Sequence, residues 1–309
     1  MPLVSVGVPV YNGEKYLEQA LSSLVQQTHR DLEVIVSDNG STDRTSEIAL
    51  EYASSDPRLR YHRQPSNLGA AANYNFTLAQ ARGDYFMWNA HDDVRHVRFL
   101  ETALQAFSEH QGASCVFSRS ASIDTNADLR HEMRRPDHLI HKDVAHRMRA
   151  ALASRHPGLV IFGLIPRDLL VRTGQHGDYP GADRVLAVEL ALAGELVEIP
   201  EIMFFNRDHP DRYVRIKNRA DSSARLQEAW WDPRRADRMV FPAWSRLEGY
   251  LRAVRQAPLT RPERFRCYWA LAAAQTDHGW AQPRSMLKDL ARAVVMIARR
   301  KLNAEVPTG

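Results

Sequence analysis

Four short runs of strand-forming residues, each followed by a polar turn and then by residues at helical spacing, constrain the fold of this chain more than any other feature. The runs are Leu3–Val8, Leu32–Val36, Leu59–His62 and Tyr85–Trp88. Between them, apolar residues recur at helical spacing through Tyr16, Leu17, Ala20, Leu21 and Leu24, through Ile48, Ala49, Tyr52 and Ala53, and from Ala70 to Ala81. This alternation predicts an α/β fold with a mixed, mostly parallel sheet flanked by helices. Ligands of such sheets bind beyond the carboxyl ends of the strands. The turns there are therefore the place to look for a site.

The fourth run ends in the sharpest of these signals, Asn89-Ala90-His91-Asp92-Asp93. Two adjacent acids repel unless a cation or hydrogen bonds compensate, and a divalent metal with oxygen ligands is a natural partner. The same acids can instead cap a helix that the spacing starts near Arg95. Pro9-Val10-Tyr11-Asn12, after the first run, can offer backbone groups to a base edge or be a plain turn. Asp38, after the second run, can accept from the imide N–H of a base such as uracil, or cap the next helix with Ser41. Asn67-Leu68-Gly69 allows close backbone approach, and Asn67 is equally suited to a helix N-cap. Arg63 can reach a diphosphate or remain solvated.

Taken together and in order, Val8-Pro9-Val10-Tyr11-Asn12, Asp38-Asn39-Gly40-Ser41-Thr42-Asp43, Asn67-Leu68-Gly69 and His91-Asp92-Asp93 resemble the family-two glycosyltransferases of GT-A (Rossmann-like) fold. The resemblance covers residues 3–120 strongly and fades towards 210. It implies a nucleotide-diphosphate sugar donor, UDP-sugar favoured, bound by Pro9, Val10, Tyr11, Asn12, Asp38, Asn67, Gly69, His91 and Asp92. It also implies inverting transfer to a hydroxyl acceptor, and a Mn2+ or Mg2+ cofactor on Asp92, with Asp93 or His91 in support. Ala90 stands where the family's Asp-x-Asp motif has its first acid, so the ribose contact of that acid is missing. An acid at the start of a later helix is the family's catalytic base, which assigns that role to Asp183 in Tyr179-Pro180-Gly181-Ala182-Asp183. The alternative for Asp183 is a helix-dipole acid. Arg207-Asp208-His209 resembles the family's Arg-x-His, with Arg207 suited to phosphate and His209 to the metal.

The remaining chain reads as a helix from Arg95 to His110, a strand at Ala113–Ser118, a polar surface excursion over 124–143, and a helix from His141 to Ser154. Two strands are expected around Pro200, at Leu196–Pro200 and Ile202–Asn206. Three C-terminal helices, Met239–Val254, Pro262–Thr276 and Arg284–Leu302, make a helical appendage. The expected division is a catalytic domain over 1–212 and a helical region over 213–309, packing on the catalytic domain or on a second copy. Glu189 reads as structural or solvated. Trp230 and Trp231 can stack on a sugar or fill a core. Ser285–Leu302 has an apolar face with a basic complement and can bury that face or lie on an anionic bilayer.

Composition narrows the classes. Hydrophobic content of 44% and charged content of 25% are those of a globular protein. The net charge of +4 is mild, and no nucleic-acid motif or basic stripe occurs. Cys115 and Cys267 form no metal pattern and are expected to be reduced thiols. Val4–Val10 leads straight into a strand–loop pattern, so no signal peptide is expected, nor any membrane span. The expected setting is cytoplasmic, with peripheral membrane contact left open, and glycan, lipid-linked or natural-product acceptors are all compatible. Two alternatives are a nucleotide-sugar binding protein without transfer activity and a nucleotidyltransferase. The latter would want a Gly-rich phosphate loop that Pro9–Glu14 lacks.

Overall fold

The computed structural model describes residues 1–133, 141–154, 157–212, 230–233, 241–277, 286–288 and 290. Strands β1 (Val4–Val10) and β2 (Leu32–Asp38) are buried along their whole length. Their valine-rich runs are continuous rather than alternating, as a parallel sheet covered on both faces requires. With β3 (Leu59–Arg63) and β4 (Tyr85–Trp88) they form a parallel sheet of order β3-β2-β1-β4, and β8 (Ile165–Pro166) adds an antiparallel edge. Chain order reverses at β1, which pairs with β2 on one side and β4 on the other. That reversal opens a crevice at the carboxyl ends of the strands.

Helices α1 (Leu17–Val25), α2 (Thr45–Ser55) and α3 (Ala70–Ala79) connect these strands. The face of α1 carrying Leu17, Ala20, Leu21 and Leu24 is buried. Helix α3 lies directly on β1: a Cβ at Gly7 would stand 2.3 Å from Thr77 Oγ1. Only a glycine admits that approach.

A second, mixed sheet among the described residues has the order β5-β9-β6-β7. It comprises β5 (Val94–Arg95), β6 (Ala113–Ile123), β7 (Leu129–Met133) and β9 (Glu195–Arg207). Three expectations change here. The helix expected from Arg95 to His110 is α4 (Phe99–Glu109), which starts later because Val94 and Arg95 pair with Phe205 and Phe204. Arg95 is buried and donates to Asn89 Oδ1 and the Phe162 carbonyl, tertiary contacts that outweigh local spacing. The two strands around Pro200 are one strand, with Pro200 and Glu201 skipped in the register between Ser118↔Ile199 and Arg119↔Ile202. A bulge accommodates the missing proline N–H without ending the strand. The excursion over 124–143 contains β7; residues 134–140 lie outside the described residues.

Helix α5 (Val144–Ala153) is capped by the Asp143 side chain, and α6 (Arg167–Leu170) is a single short turn. Helix α7 (Ala182–Ala193) follows Gly181, whose φ of 88° suits glycine. Glu189 on α7 accepts the Gly174 N–H at 3.0 Å, a bond that ties α7 to the preceding loop. Two of the expected C-terminal helices are present as α8 (Pro242–Gln256) on α7 and α9 (Arg261–Asp277) on α5. Tyr250, Ala253, Val254, Cys267 and Leu271 join one core with Leu186 and Leu190. Cys115 and Cys267 are both buried in that core and form no disulfide. Ser285–Leu302 lies outside the described residues except for 286–288 and 290. No helix among the described residues is long and apolar enough to cross a membrane.

Candidate active site

The crevice at the end of β1 holds a cavity of about 660 Å3, a size within the usual range for small-molecule sites. Pro9, Val10, Tyr11 and Asn12 line one side, Asn39, Asp43 and Asn67 the next, and His91, Asp92, Asp93, Asn206 and His209 the acidic end. Chain reversal at β1 therefore brings together turns separated by up to two hundred residues of sequence.

The strand expected to end at Val8 continues through Pro9 and Val10, which pair with Ser37 and Asp38, and the Tyr11–Asn12 turn that follows is held from the turn after β2. Asn12, with φ of 51°, accepts from Thr42 N on its Oδ1 and donates its own N–H to Ser41 Oγ, and Gly13 N donates to Thr45 Oγ1. Asn73, on α3, donates to the Val10 and Ser37 carbonyls and pins β1 to β2 at their carboxyl ends. Asn67 Oδ1 accepts from Gly69 N and Asn39 Nδ2, so its amide shapes the turn that lines the cavity. Gly69 does not line the cavity. Its φ is 88°, and an added Cβ would stand 2.3 Å from the Trp231 carbonyl oxygen. The backbone that approaches Gly69 closely is thus that of residues 231–232.

At the acidic end, His209 Nε2 lies 2.8 Å from Asp92 Oδ2, and both residues are buried. Asp93 accepts from Asn206 Nδ2 at 3.0 Å and from Arg207 N at 2.9 Å. Asn89 holds the Ala90–Asp93 loop from below, donating to the Ala90 and Asp93 carbonyls while accepting from Arg95 Nε. The two carboxyls titrate apart. Burial opposes ionisation of Asp92, but the His209 bond and the charges of His91 and Arg212 hold its pKa below the ordinary carboxylate value. Burial and the neighbouring Asp92 charge push Asp93 up, more than its hydrogen bonds bring it down.

Two expected phosphate or base contacts turn inward. Arg207 is fully buried: its guanidinium donates to the carbonyls of Asp92, Asp124 and Thr125 and to Gln19 Oε1, with Tyr16 stacked 4.8 Å away. Asp38 is fully buried too. It accepts from Ser41 N at 2.8 Å and Tyr61 Oη at 2.7 Å, so it builds the turn rather than lining the cavity. Arg63 bonds the Ser41 carbonyl and Ser46 on the outside of that turn. The cations at the cavity wall are Lys15 and Arg212. Arg212 lowers both Asp92 and Asp93.

Asp183 sits in the first turn of α7, half-buried, and does not line the cavity itself. Tyr74 and His176 stand near it. Burial pushes the Tyr74 phenol up, and Asp92, Asp93 and Asp183 add to that. Burial pushes His176 well down, against the attraction of Asp183. His176 packs against Tyr74, tilted at 38° with centroids 4.6 Å apart, and stacks on Trp231 at 5.2 Å. Tyr74, His176, Asn206 and Arg212 escaped the sequence reading. Only Asn206 and Arg212 carried a usable signal, as polar residues flanking Arg207 and His209.

The donor set at Asp92 fits a divalent cation. It joins a carboxylate to an imidazole whose Nδ1 is buried without a hydrogen-bond partner among the described residues. That combination suits Mn2+ or Mg2+. No cluster of three or more acidic, histidine or cysteine side chains that could hold a metal occurs among the described residues. A cation here would take further ligands beyond Asp92 and His209, such as phosphate oxygens or water.

Comparison with known proteins accords with this architecture. Over 129 residues the chain is 34% identical to the chondroitin synthase of Escherichia coli, covering 42% of this chain and 19% of that protein. It is 36% identical over 107 residues to glycosyltransferase GlyG of Streptococcus pneumoniae, covering 35% and 36%. An uncharacterized glycosyltransferase of Rickettsia typhi is 38% identical over 100 residues, covering 32% and 30%. The matched stretch thus spans little more than a third of these relatives' length at most. In fold, S. aureus TarS 1-349 in complex with UDP superposes with a TM-score of 0.55 at 18% identity, covering 89% of this chain and 91% of that one. Mannosyltransferase PcManGT of Pyrobaculum calidifontis, in complex with GDP-Man and Mn2+, gives 0.56 at 19% identity, covering 98% and 79%. The mixed α/β fold is that of the GT-A glycosyltransferases. Residues 5–164, just over half of the chain, match the family described as Glycosyl transferase family 2, and to that family the chain belongs.

Proposed function

We propose that the protein is an inverting glycosyltransferase that moves a sugar from a nucleotide-diphosphate sugar, a UDP-sugar by preference, to a hydroxyl acceptor. The observation that carries this reading is the cavity itself, which runs from the Pro9–Asn12 loop to the buried Asp92–His209 pair. Its volume and polar lining residues suit a ligand that carries a flat base and a diphosphate. The two structural neighbours named above hold UDP and GDP-Man, which supports the same ligand class here.

In this reading Pro9, Val10, Tyr11 and Asn12 cradle the nucleoside, with Asn39, Asp43 and Asn67 opposite. Asp38 shapes that side through its bond to Ser41. Arg212 and Lys15 offset diphosphate charge, the role the sequence suggested for Arg207. Asp92 and His209 would hold Mn2+ or Mg2+, with Asp93 in support. The cation, when bound, supplies charge stabilisation to the leaving diphosphate. Asp183 accepts the proton of the acceptor hydroxyl as that oxygen attacks the anomeric carbon. The carbon–oxygen bond to the diphosphate breaks on the opposite face, and the configuration inverts.

Calorimetric titration of UDP, GDP and ADP with and without Mn2+, followed by an assay for UDP release from UDP-sugars, tests the reading. UDP should bind most tightly, with an affinity that rises about tenfold or more when Mn2+ is present. Equal affinity for ADP and UDP, or no UDP release with any donor, contradicts it.

A further inference from the structure

Helix α9 carries aromatic side chains on the face that turns away from the core. Cys267, Ala270 and Leu271 point inward and are at most 3% exposed. On the opposite side Phe265 and Trp269, one turn apart, are 70% and 68% exposed, with Tyr268 beside them at 36%. A single exposed ring is ordinary on a protein surface. Two large rings in register on one helix face mark a surface that is covered in use.

Cations frame these rings. A groove of about 510 Å3 between α5 and α9 is lined by Phe265 and Trp269 together with Arg149 and Arg266. Lys142 precedes α5 and Arg261 opens α9, and both are exposed. The acids nearby are already committed. Asp143 caps α5 and accepts from Arg266 Nη1 at 2.6 Å, and Glu263 accepts from Thr260 N at 2.8 Å and Thr260 Oγ1 at 2.6 Å. Among the described residues Lys142, Arg149 and Arg261 form no ion pair. The surface is thus aromatic and net positive.

That charge selects the occupant. A second copy in a two-fold contact would set these cations against their own equivalents. The chain beyond α9 is no better matched, since it carries Arg284, Lys288, Arg292, Arg299, Arg300 and Lys301 against Asp289 over the same stretch. An anionic bilayer complements both parts of the surface. Aromatic rings settle at the headgroup–acyl boundary, and long basic side chains lie along apolar surface while their charged ends meet lipid phosphates.

We propose that the outer face of α9 docks on an anionic phospholipid surface, with Phe265 and Trp269 inserted at headgroup level and Lys142, Arg149 and Arg261 facing lipid phosphates. The proposal stands on this face alone and does not depend on the reaction catalysed.

The test uses the full chain and vesicles of phosphatidylcholine, with or without about 30% phosphatidylglycerol. Wild type should co-sediment about tenfold more strongly with the anionic vesicles, and this preference should largely vanish at about 0.5 M salt. The double variants Phe265→Ser/Trp269→Ser and Arg149→Gln/Arg261→Gln should each lower the anionic partition about tenfold, and Trp269→Tyr should stay close to wild type. Bromine-labelled lipid should quench tryptophan fluorescence less in Trp269→Phe than in wild type, which separates insertion from surface adsorption. Wild type that binds neither vesicle, or binds both equally, overturns the proposal. So does an unchanged partition in Phe265→Ser/Trp269→Ser, or equal quenching in Trp269→Phe. Light scattering and thermal melts on the same proteins read the other occupants. A wild-type dimer that Phe265→Ser/Trp269→Ser renders monomeric would assign the face to a second copy. A melting temperature lowered by more than about 5 °C in that variant would assign it to the protein's own chain. Either result overturns the proposal.

Discussion

Asp92 and His209 stand 117 residues apart in sequence and meet at 2.8 Å in the buried end of the cavity. One closes β4's turn and the other follows β9, so the contact joins the two sheets at the proposed cation site. Asp92→Asn and His209→Ala should each reduce Mn2+-dependent UDP affinity and transfer by two orders of magnitude or so, equivalent to about 3 kcal/mol. Titration of Mn2+ into each variant in the presence of UDP checks this. Wild-type Mn2+ dependence in either variant would place the cation elsewhere.

Asp93 gives the cation-free protein a pH dependence of definite sign. Its folded pKa is raised by burial and by Asp92. Between the ordinary carboxylate value and that raised value the folded state holds more protons than the unfolded state, so stability falls as pH rises through this window. A cation offsets the uncovered charge. The rise in Tm on adding Mn2+ should therefore be larger at pH 8 than at pH 5.5, and Asp93→Asn should flatten the cation-free dependence. Melts at the two pH values, with and without Mn2+, decide it; an equal Mn2+ effect at both contradicts the account.

Arg207 and Arg212 should behave as opposites. Arg207 is enclosed by carbonyls and Gln19, so Arg207→Lys should cost roughly 2 to 4 kcal/mol of stability through unsatisfied buried groups. Arg212→Ala should leave stability nearly unchanged and weaken UDP binding about tenfold. Denaturant unfolding and calorimetry on both variants separate the roles. Selective loss of UDP affinity in Arg207→Lys, with stability intact, would return Arg207 to the phosphate.

Gly69 is required by close approach as well as by its φ of 88°, since a Cβ would meet the Trp231 carbonyl oxygen at 2.3 Å. Gly69→Ala should cost about 1 to 3 kcal/mol by displacing residues 231–232. Unfolding curves check this. A variant as stable as wild type would mean that the segment tolerates displacement.

The strands and helices through β4 were legible because each run carries its own period and its own turn residues. The cavity-lining residues Pro9–Asn12, Asn67 and His91–Asp93 end those strands or lie in the turns after them, so their positions came with the fold. Orientation was harder to read. Asp38 and Arg207 end strands beside the site, yet both side chains turn into the protein, because a polar residue at a strand end can brace a turn as readily as face a ligand. Tyr74 and Asn73 lie inside a helical run whose spacing marks only a core face. His176 acquires its place from Tyr74 and Trp231, which are remote in sequence. The start of α4 was misplaced for the same reason: pairing of Val94 and Arg95 with Phe205 and Phe204 is a long-range fact that local spacing does not carry.

The central claim, base-assisted transfer from a nucleotide-sugar in this cavity, is tested most directly by Asp183→Asn. UDP-sugar binding and transfer are measured on the same preparation, with Mn2+ present. The account predicts a nucleotide affinity within about twofold of wild type and a transfer rate lower by a factor of about 10^3 or more. Transfer at the wild-type rate in Asp183→Asn would contradict it.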